Sequence, residues 1–428
     1  MFNKLLERLI CKQLLHFLER YELLYSFQYG YRKLHSTTLA LIELTDSIRR
    51  LIDSKHIVFS LFIDFTKAFD TVDHEILLTK LAHYGVRGHA NSFFKSYLCN
   101  RSQYIAINGV KSSTQNITCG VPQGSVLGPI LFLIYVNDLH RCLGDSITRM
   151  FADDTNLTLY HKNNTELKKI SISKTKALMK WCDCNKLTIN WNKTHYVLFH
   201  AKNKLISSDF DQINVSGNIV KRVSCVKYLG IHIDELLTWR DHVSYIYKSL
   251  LKYYGIFNHM KHFVKREIIR QIYFAFICSK IKYGIEIYGS CAHMHRLQVI
   301  QSGLLKMFLN INRRSDTNKL HLSLRLLKVE HIYKMHIILF INKCIQKRST
   351  VFFNSYFNDR DRPYPIRNRG IERERSRILV GYLTVKNIAS REWNMILPNL
   401  KEKCRLLNFK KHIATFFIEQ YNQPDNET

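Results

Sequence analysis

The sequence predicts an α/β core in the first part of the chain and an all-helical module after it. Three observations carry this expectation. Residues 57–65 form a continuous apolar run of β-branched and aromatic residues closing on Asp64, the pattern of a strand buried on both faces. Residues 146–160 read as strand, Ala-Asp-Asp turn, strand. From Asp241 to Cys344 the apolar positions recur almost wholly at helical spacing.

The elements follow in order. Leu5, Leu6, Leu9, Ile10, Leu14, Leu15, Phe17 and Leu18 give residues 3–20 a helical period. Gln28 to Lys33 is a Tyr/Gly-rich loop. Thr37 to Ile52 is a second amphipathic helix, with Ser36 or Thr37 as its N-cap. After the buried strand, His74 to His83 and Asn91 to Leu98 read as helices, and Asp73 suits the N-cap of the first. Short strands are expected around Gln103–Ile107 and Thr114–Ile117. Cys119 to Pro129 is a Gly/Pro loop feeding an apolar helix that runs to Leu139. Beyond the hairpin, Glu166 to Cys184 is helical, Leu187 to Phe199 is a loop and a strand, and Val223 to Ile233 is a strand pair. Arg360 to Arg377, with seven Arg and three acids, reads as a mobile loop. Residues 378–420 close the chain as a small helical tail. No internal repeat is visible.

Charge divides the chain. Residues 1–160 carry 17 Lys and Arg against 14 Asp and Glu, while residues 161–428 carry 47 against 20. A basic part of that size attracts polyanions, and nucleic acid is the default partner. The 11 cysteines include no CxxC pair, which argues against a disulfide scaffold or a zinc ribbon. Cys291-Ala-His-Met-His295 fits no zinc spacing, and Cys182 and Cys184 fall on a helix as packing residues. No apolar h-region opens the chain, and its most apolar run, Val126 to Val136, contains Gly128 and Pro129 and is too short to span a bilayer. A non-membrane protein of a reducing compartment is expected.

Three acids stand out. Asp64 ends the buried strand, and Asp153 and Asp154 sit at the hairpin turn between Phe151-Ala152 and Leu157. A carboxylate at the end of a buried strand is expensive unless compensated, and adjacent Asp residues repel each other. A divalent cation relieves both costs, and Mg²⁺ typically takes one or two carboxylates together with substrate phosphates.

The stretch Leu61-Phe-Ile-Asp-Phe-Thr-Lys-Ala-Phe-Asp-Thr-Val-Asp-His74, the loop Gly120-Val-Pro-Gln-Gly-Ser-Val-Leu-Gly-Pro129 and the turn Phe151-Ala-Asp-Asp-Thr155 resemble, in order, motifs A, B and C of reverse transcriptases. Gln28-Tyr-Gly-Tyr-Arg-Lys-Leu-His-Ser-Thr37 resembles the finger motif. Leu187-Thr-Ile-Asn-Trp-Asn-Lys-Thr194 resembles motif D, and Tyr228-Leu-Gly-Ile231 the primer grip, motif E. Tyr283-Gly-Ile-Glu-Ile-Tyr-Gly289, Leu297-Gln-Val-Ile-Gln301, Trp393-Asn-Met-Ile-Leu-Pro398 and Asn408-Phe-Lys-Lys411 are similar to the thumb and tail of non-long-terminal-repeat (LINE-type, jockey-like) retrotransposon polymerases.

The resemblance implies an α/β palm-and-fingers polymerase core of the right-hand type, followed by an all-helical thumb and a C-terminal tail. The implied domains are 1–56 partial fingers, 57–235 palm, 236–350 thumb and 351–428 basic loop and tail. It implies an RNA-directed DNA polymerase that adds deoxynucleotides to a primer 3′-OH on an RNA template. Asp64, Asp153 and Asp154 would be both catalytic and metal-binding, holding two Mg²⁺ ions, with Mn²⁺ as the alternative, and the Phe65 carbonyl would complete one site. Phe69 would be the steric gate against a ribose 2′-OH. Gln123 and Gly124 would lie under the incoming base and template. Lys193 would reach the triphosphate, Arg32 would contact phosphate, and Tyr228, Leu229 and Gly230 would hold the primer end. Asp70 and Asp73 are left outside the catalytic set.

In this family a strand with an Asn-Tyr-Arg-Pro-Ile-Ser-type motif precedes the helix matching residues 3–20, and an endonuclease domain lies further upstream. The chain starts after both, so a 5′-truncated element without its endonuclease is expected. An inactive remnant that only binds nucleic acid therefore stays open as the alternative. A group II intron-type maturase or an RNA-making polymerase is a third reading, which Phe69 and the tail disfavour. Nuclear residence is implied by the family alone.

Overall fold

The computed structural model of the chain describes residues 2–204, 206, 210–357, 370–406 and 408–422. Of the loop expected at 360–377, only 370–377 fall within these residues. The chain folds as two compact units, residues 1–40, 56–198 and 203–223 in one, and residues 41–55, 199–202 and 224–428 in the other.

The strands, in chain order, are β1 (Ile57–Ile63), β2 (Arg101–Gln103), β3 (Ala106–Ile107), β4 (Val110–Lys111), β5 (Gln115–Ile117), β6 (Ile147–Phe151), β7 (Asp154–His161), β8 (His195–Phe199), β9 (Gln212–Val215), β10 (Asn218–Arg222), β11 (Cys225–Tyr228) and β12 (Ile231–Asp234). The first helices are α1 (Phe2–Arg20), α2 (Thr37–Asp53), α3 (His74–His83), α4 (His89–Leu98), α5 (Gly128–Val136), α6 (Leu139–Leu143), α7 (Asn164–Cys184) and α8 (Arg240–Met260).

The first unit is organised by a six-stranded sheet of order β6-β7-β1-β8-β10-β9. Every residue of β1 is buried, as its unbroken apolar run requires. Its covering elements explain this. In α5, Ile130 through Val136 are all buried, because a helix that is apolar all round must be enclosed. Leu167, Leu178 and Trp181 of α7 join the same core with Leu61, Leu157 and Tyr196. The Asp73 carboxylate caps α3, accepting the Ile76 N–H at 3.0 Å, as its position suggested.

Two features differ from the sequence expectation. The strand expected at Gln103–Ile107 is broken: β2 pairs with β5, and β3 turns back onto β4 through Asn108 and Gly109, both at positive φ. Asn-Gly is the favoured pair for such a two-residue hairpin turn. The β9–β10 hairpin, turning at Ser216-Gly217, has no counterpart in the sequence expectation.

β1 and β7 pair antiparallel, Ile57 opposite His161 through Ile63 opposite Thr155. Polar side chains buried inside the sheet pin this register. Ser60 faces Thr158 with their hydroxyls 3.2 Å apart, and the Asn156 amide donates to Ser60 Oγ at 2.7 Å and to the Leu61 carbonyl at 3.2 Å. Arg149, fully buried on β6, donates to Thr158 Oγ1 at 2.9 Å. A one-residue slip would strip each of these groups of its partner, at about 1–3 kcal/mol per orphaned group.

In the second unit Asp46 of α2 is fully buried. Its carboxylate accepts the N–H groups of Val385 and Lys386, at 2.7 and 3.0 Å, and the Tyr356 hydroxyl at 2.8 Å. It thereby caps the helix Val385–Met395 from outside that helix. Asp53, at the end of α2, accepts the N–H groups of Arg377 and Ile378. The tail is thus bound to α2 through acid–backbone contacts that span more than 300 residues of sequence.

Asn156→Ala is expected to lower stability by about 2–3 kcal/mol in urea denaturation, because Ser60 Oγ and the Leu61 carbonyl lose their donor in a dry site. A loss under about 0.5 kcal/mol would show that the network does not hold the register.

Candidate active site

The β1–β7 pairing sets the geometry. Ile63 lies opposite Thr155, so the next residue of each chain segment places Asp64 opposite Asp154. The ladder itself ends there, and the Asp64 charge acts on Asp154 across its end. On the other side, β6 pairs with β7 from Ile147 opposite Thr158 to Phe151 opposite Asp154. This leaves a two-residue turn, Ala152-Asp153. Asp154 is therefore the first residue of a strand, and Asp153 alone sits in the turn. The structure brings the three acids expected from the sequence to one end of the sheet.

The turn is held from outside. Ala152 takes φ +57, a conformation that strains a residue with a Cβ. Its N–H donates to Oε1 of the fully buried Gln28 at 3.2 Å, and the same oxygen accepts the Gly30 N–H at 2.9 Å. The Tyr29 N–H donates to the Met150 carbonyl at 2.7 Å, and the Met150 N–H to the Phe27 carbonyl at 3.0 Å. Segment 27–30 thus runs along β6 as an added bridge. A Cβ on Gly30 would meet the Ala152 nitrogen at 2.5 Å, so only glycine fits against the turn. Arg32 braces this loop from behind, its Nη1 donating to the carbonyls of Tyr25 at 2.9 Å and Gln28 at 3.3 Å.

The segment after Thr188 packs against the end of β1. The Thr66 N–H donates to the Thr188 carbonyl at 2.8 Å, and the Asn190 N–H to the Asp64 carbonyl at 2.8 Å, so Phe65 bridges Ile189 between them. The Asp64 N–H reaches Thr194 Oγ1 at 3.3 Å. This brings Lys193 Nζ to 3.8 Å from Asp64 Oδ2. Lys193 is well exposed and Asp64 partly so, and the pair contributes little to stability. Its significance is location: an exposed ammonium beside Asp64.

Phe69 stacks on Phe132 of α5 with ring centroids 4.4 Å apart. Gln123 turns its amide nitrogen to Asp70 Oδ1 at 2.8 Å. Gly124, at φ +76, has open space where a side chain would point. Asp70 and Gln123 line a cleft of about 680 Å³ with Lys67, Arg101, Gln103 and Cys119. None of the three clustered carboxylates is among its walls. Tyr228, Leu229 and Gly230 belong to the second unit. Leu229 and Gly230, at φ +44 and +80, form the turn between β11 and β12, and the Tyr283 hydroxyl donates to the Leu229 carbonyl at 2.8 Å.

The electrostatics of the acids reflect their crowding. Partial burial, with the charges of Asp153 and then Asp64, pushes the Asp154 carboxyl up to about 6. Burial and Asp153 also push the Tyr31 hydroxyl up, which places that ring beside the turn. Among the described residues no three His, Cys, Asp or Glu side chains close into a preformed metal cage. An open set of hard oxygen donors that repel each other still fits Mg²⁺ or Mn²⁺. Such ions take few protein carboxylates and complete their shell with water and phosphate. Asp64, Asp153 and Asp154 are the residues that would hold them.

Sequence reading left Gln28, Gly30, Asp70 and Thr194 without roles. The first two lay inside the finger motif, and their position against the turn is a long-range packing fact. Asp70 carried a signal, a carboxylate six residues beyond Asp64, but nothing local tied it to Gln123.

The Asp154 shift has a definite sign. A carboxyl that titrates at about 6 when folded, against an ordinary 3.8, holds its proton more tightly in the folded chain. Its contribution to stability is therefore greatest at low pH and is lost as pH rises from about 4 through 6. Asp154→Asn removes that loss. In metal-free buffer the variant is expected to melt above the wild type at pH 7 and level with it below about pH 4, by calorimetry. Parallel pH profiles would mean the three charges do not meet.

Residues 1–233 match the sequence profile of the family described as reverse transcriptase (RNA-dependent DNA polymerase). Among curated relatives, the chain is 30% identical over 356 residues to a probable RNA-directed DNA polymerase from transposon BS of Drosophila melanogaster, covering 78% of this chain and 38% of that protein. It is 28% identical over 340 residues to the X-element counterpart, covering 76% and 36%. To the polymerase from the mobile element jockey of the same fly it is 26% identical over 316 residues, covering 71% and 34%. The chain thus spans little more than a third of the length of these relatives. Among solved structures, a Candida albicans telomerase bound to a fragment of telomeric RNA aligns with a TM-score of 0.41 and 12% identity, covering 75% of this chain and 58% of that one. The curated relatives are thus polymerases of mobile elements, and the profile match over more than half of the chain decides the assignment: the chain belongs to the reverse transcriptase family, with the right-hand polymerase fold.

Proposed function

We propose that this chain is the core of an RNA-directed DNA polymerase that adds deoxynucleotides to a primer 3′-OH on an RNA template. The observation that carries the reading is the β1–β7 register, which sets Asp64 opposite Asp154 and leaves Asp153 in the adjoining turn. In this reading the three carboxylates hold two Mg²⁺ ions. When bound, the metal supplies charge neutralisation and Lewis acidity for in-line nucleotidyl transfer.

The remaining roles belong to this chain's own groups. Lys193 stands near Asp64, where its ammonium can meet the triphosphate and give a proton to departing pyrophosphate. The Phe69 ring, braced by Phe132, is the surface a ribose 2′-OH would strike, favouring deoxynucleotides. Gln123 and Gly124 lie under the base pair being formed, and the Phe65 carbonyl adds a ligand oxygen. Arg32 contributes by stiffening the loop that clamps the turn, and a phosphate contact would come from its remaining donors. The Tyr228-Leu229-Gly230 turn, tied down by Tyr283, holds the primer end. Residues 1–56 would act as partial fingers, 57–235 as palm, 236–350 as thumb and 351–428 as the tail. The basic thumb would grip template and primer through phosphates.

Primer extension tests this directly. Purified chain with an RNA template, a DNA primer, deoxynucleotides and Mg²⁺ is expected to extend the primer. Asp153→Asn is expected to lose at least about a thousandfold in rate while binding template–primer with unchanged affinity. Extension by the variant at the wild-type rate would remove the carboxylates from the chemistry. Salt-sensitive binding without extension by either form would leave a nucleic-acid-binding chain that is not a polymerase.

A further inference from the structure

The second unit contains a cleft of about 810 Å³ between α8 and the helix Met294–Phe308. Its walls include Lys306, Arg313, Lys328, Tyr247 and Tyr254, and no Asp or Glu is among the residues that line it. Lys306 is the unusual member. It is only 8% exposed, yet its ammonium meets no carboxylate within ion-pair distance among the described residues. It donates instead to the carbonyls of Arg313 at 2.9 Å and Ser315 at 2.5 Å. An ammonium has three N–H donors, so these two bonds leave one for a ligand in the cleft. Lys306 also fixes the loop that carries Arg313, and so sets a second cation at the rim.

The tyrosines are held as firmly. A Cβ on Gly303 would strike the Tyr254 hydroxyl, so that hydroxyl is seated against the helix where only glycine leaves it room. Burial pushes the Tyr254 hydroxyl up, opposed by the Arg313 charge, which places that guanidinium beside the ring. Lys328 is anchored by Asn318 Oδ1 and lies over the Tyr421 ring at 5.1 Å. Two of the cleft's cations, Lys306 and Lys328, are therefore anchored, and Arg313 stands exposed at its rim.

We propose that this cleft is a binding site for the backbone of single-stranded RNA, separate from the carboxylate cluster. A cavity of this volume falls in the range that takes small ligands and has no room for a double helix. Lys306, Arg313 and Lys328 meet phosphates. The hydroxyls of Tyr247, Tyr254 and Thr317 both donate and accept, as partners of a ribose 2′-OH must. The choice of RNA over another polyanion rests on the polymerase reading. Sequence alone could not show the site, because Lys306 and Arg313 look like any other members of a basic chain.

The test uses the full chain and a fluorescent 12-nucleotide single-stranded RNA of mixed sequence, followed by anisotropy as salt is raised. Arg313 is exposed, so its replacement leaves the fold intact. Arg313→Glu is expected to weaken binding about tenfold and to reduce the slope of log affinity against log salt by about 0.7, the value of one single-strand phosphate contact. Arg313→Lys should keep most of the affinity. Lys176→Glu, an equal charge change on the exposed side of α7, should have a much smaller effect. Loss of affinity equal to that of Lys176→Glu would overturn the proposal, since charge alone would then explain binding. Equal Arg313-dependent affinity for the matching DNA 12-mer would overturn the preference for ribose. Arg313-dependent RNA binding in a chain that never extends a primer would support this site and count against the polymerase reading alone.

Discussion

The antiparallel register of β1 and β7 is the constraint on which the rest of the site depends. It carries Asp64 to the end of the sheet where Asp154 begins β7, and the tight β6–β7 turn sets Asp153 next to Asp154. Apolar burial alone would not choose this register, because β1 is buried on both faces and a shifted strand would still bury apolar side chains. The choice comes from the polar groups in the dry sheet. Ser60, Asn156, Thr158 and Arg149 satisfy each other in one alignment. Shifting it orphans several buried donors and acceptors at once, and a buried polar network of this kind is worth most as a specifier.

The cluster built this way is locally unfavourable. The Asp154 carboxyl is pushed up to about 6 by burial and its two neighbours, and Ala152 sits at φ +57 in the turn. Neither feature helps the chain fold. Both persist because the surroundings over-determine them: Gln28 accepts the Ala152 N–H, Gly30 leaves room for the turn, and Thr194 and Asn190 fasten the Asp64 backbone. Repulsion and strain held in place by neighbours suit a cation-dependent site, since a cation relieves the repulsion that the fold imposes.

Much of this is legible in the sequence, for reasons that can be named. The run at 57–63 announces a doubly buried strand because nothing polar but Ser60 interrupts it, and the structure buries all of β1. Asp73 ahead of α3 and the helical period of residues 3–20 are local signals, and the structure bears both out. The acids stand out because a charge at the end of an apolar strand is costly. What stays hidden is short or distant. β9 and β10 are four- and five-residue strands of mixed polarity, too short to show a period. Asn108-Gly109 is a turn signal that the expected strand at 103–107 obscured. The link from Asp46 to the helix at Val385, and that from Gln28 to the turn at Ala152, join residues more than 100 positions apart. No periodicity reports such contacts.

The central claim is that the fold gathers Asp64, Asp153 and Asp154 into one divalent-cation site. Electron paramagnetic resonance of Mn²⁺ added to the chain in the absence of nucleic acid measures this most directly. The account predicts a bound-Mn²⁺ population in the wild type that is lost in Asp64→Asn and also in Asp154→Asn, residues that lie 90 positions apart and meet only through the β1–β7 register. Mn²⁺ binding left unchanged by both substitutions would contradict it.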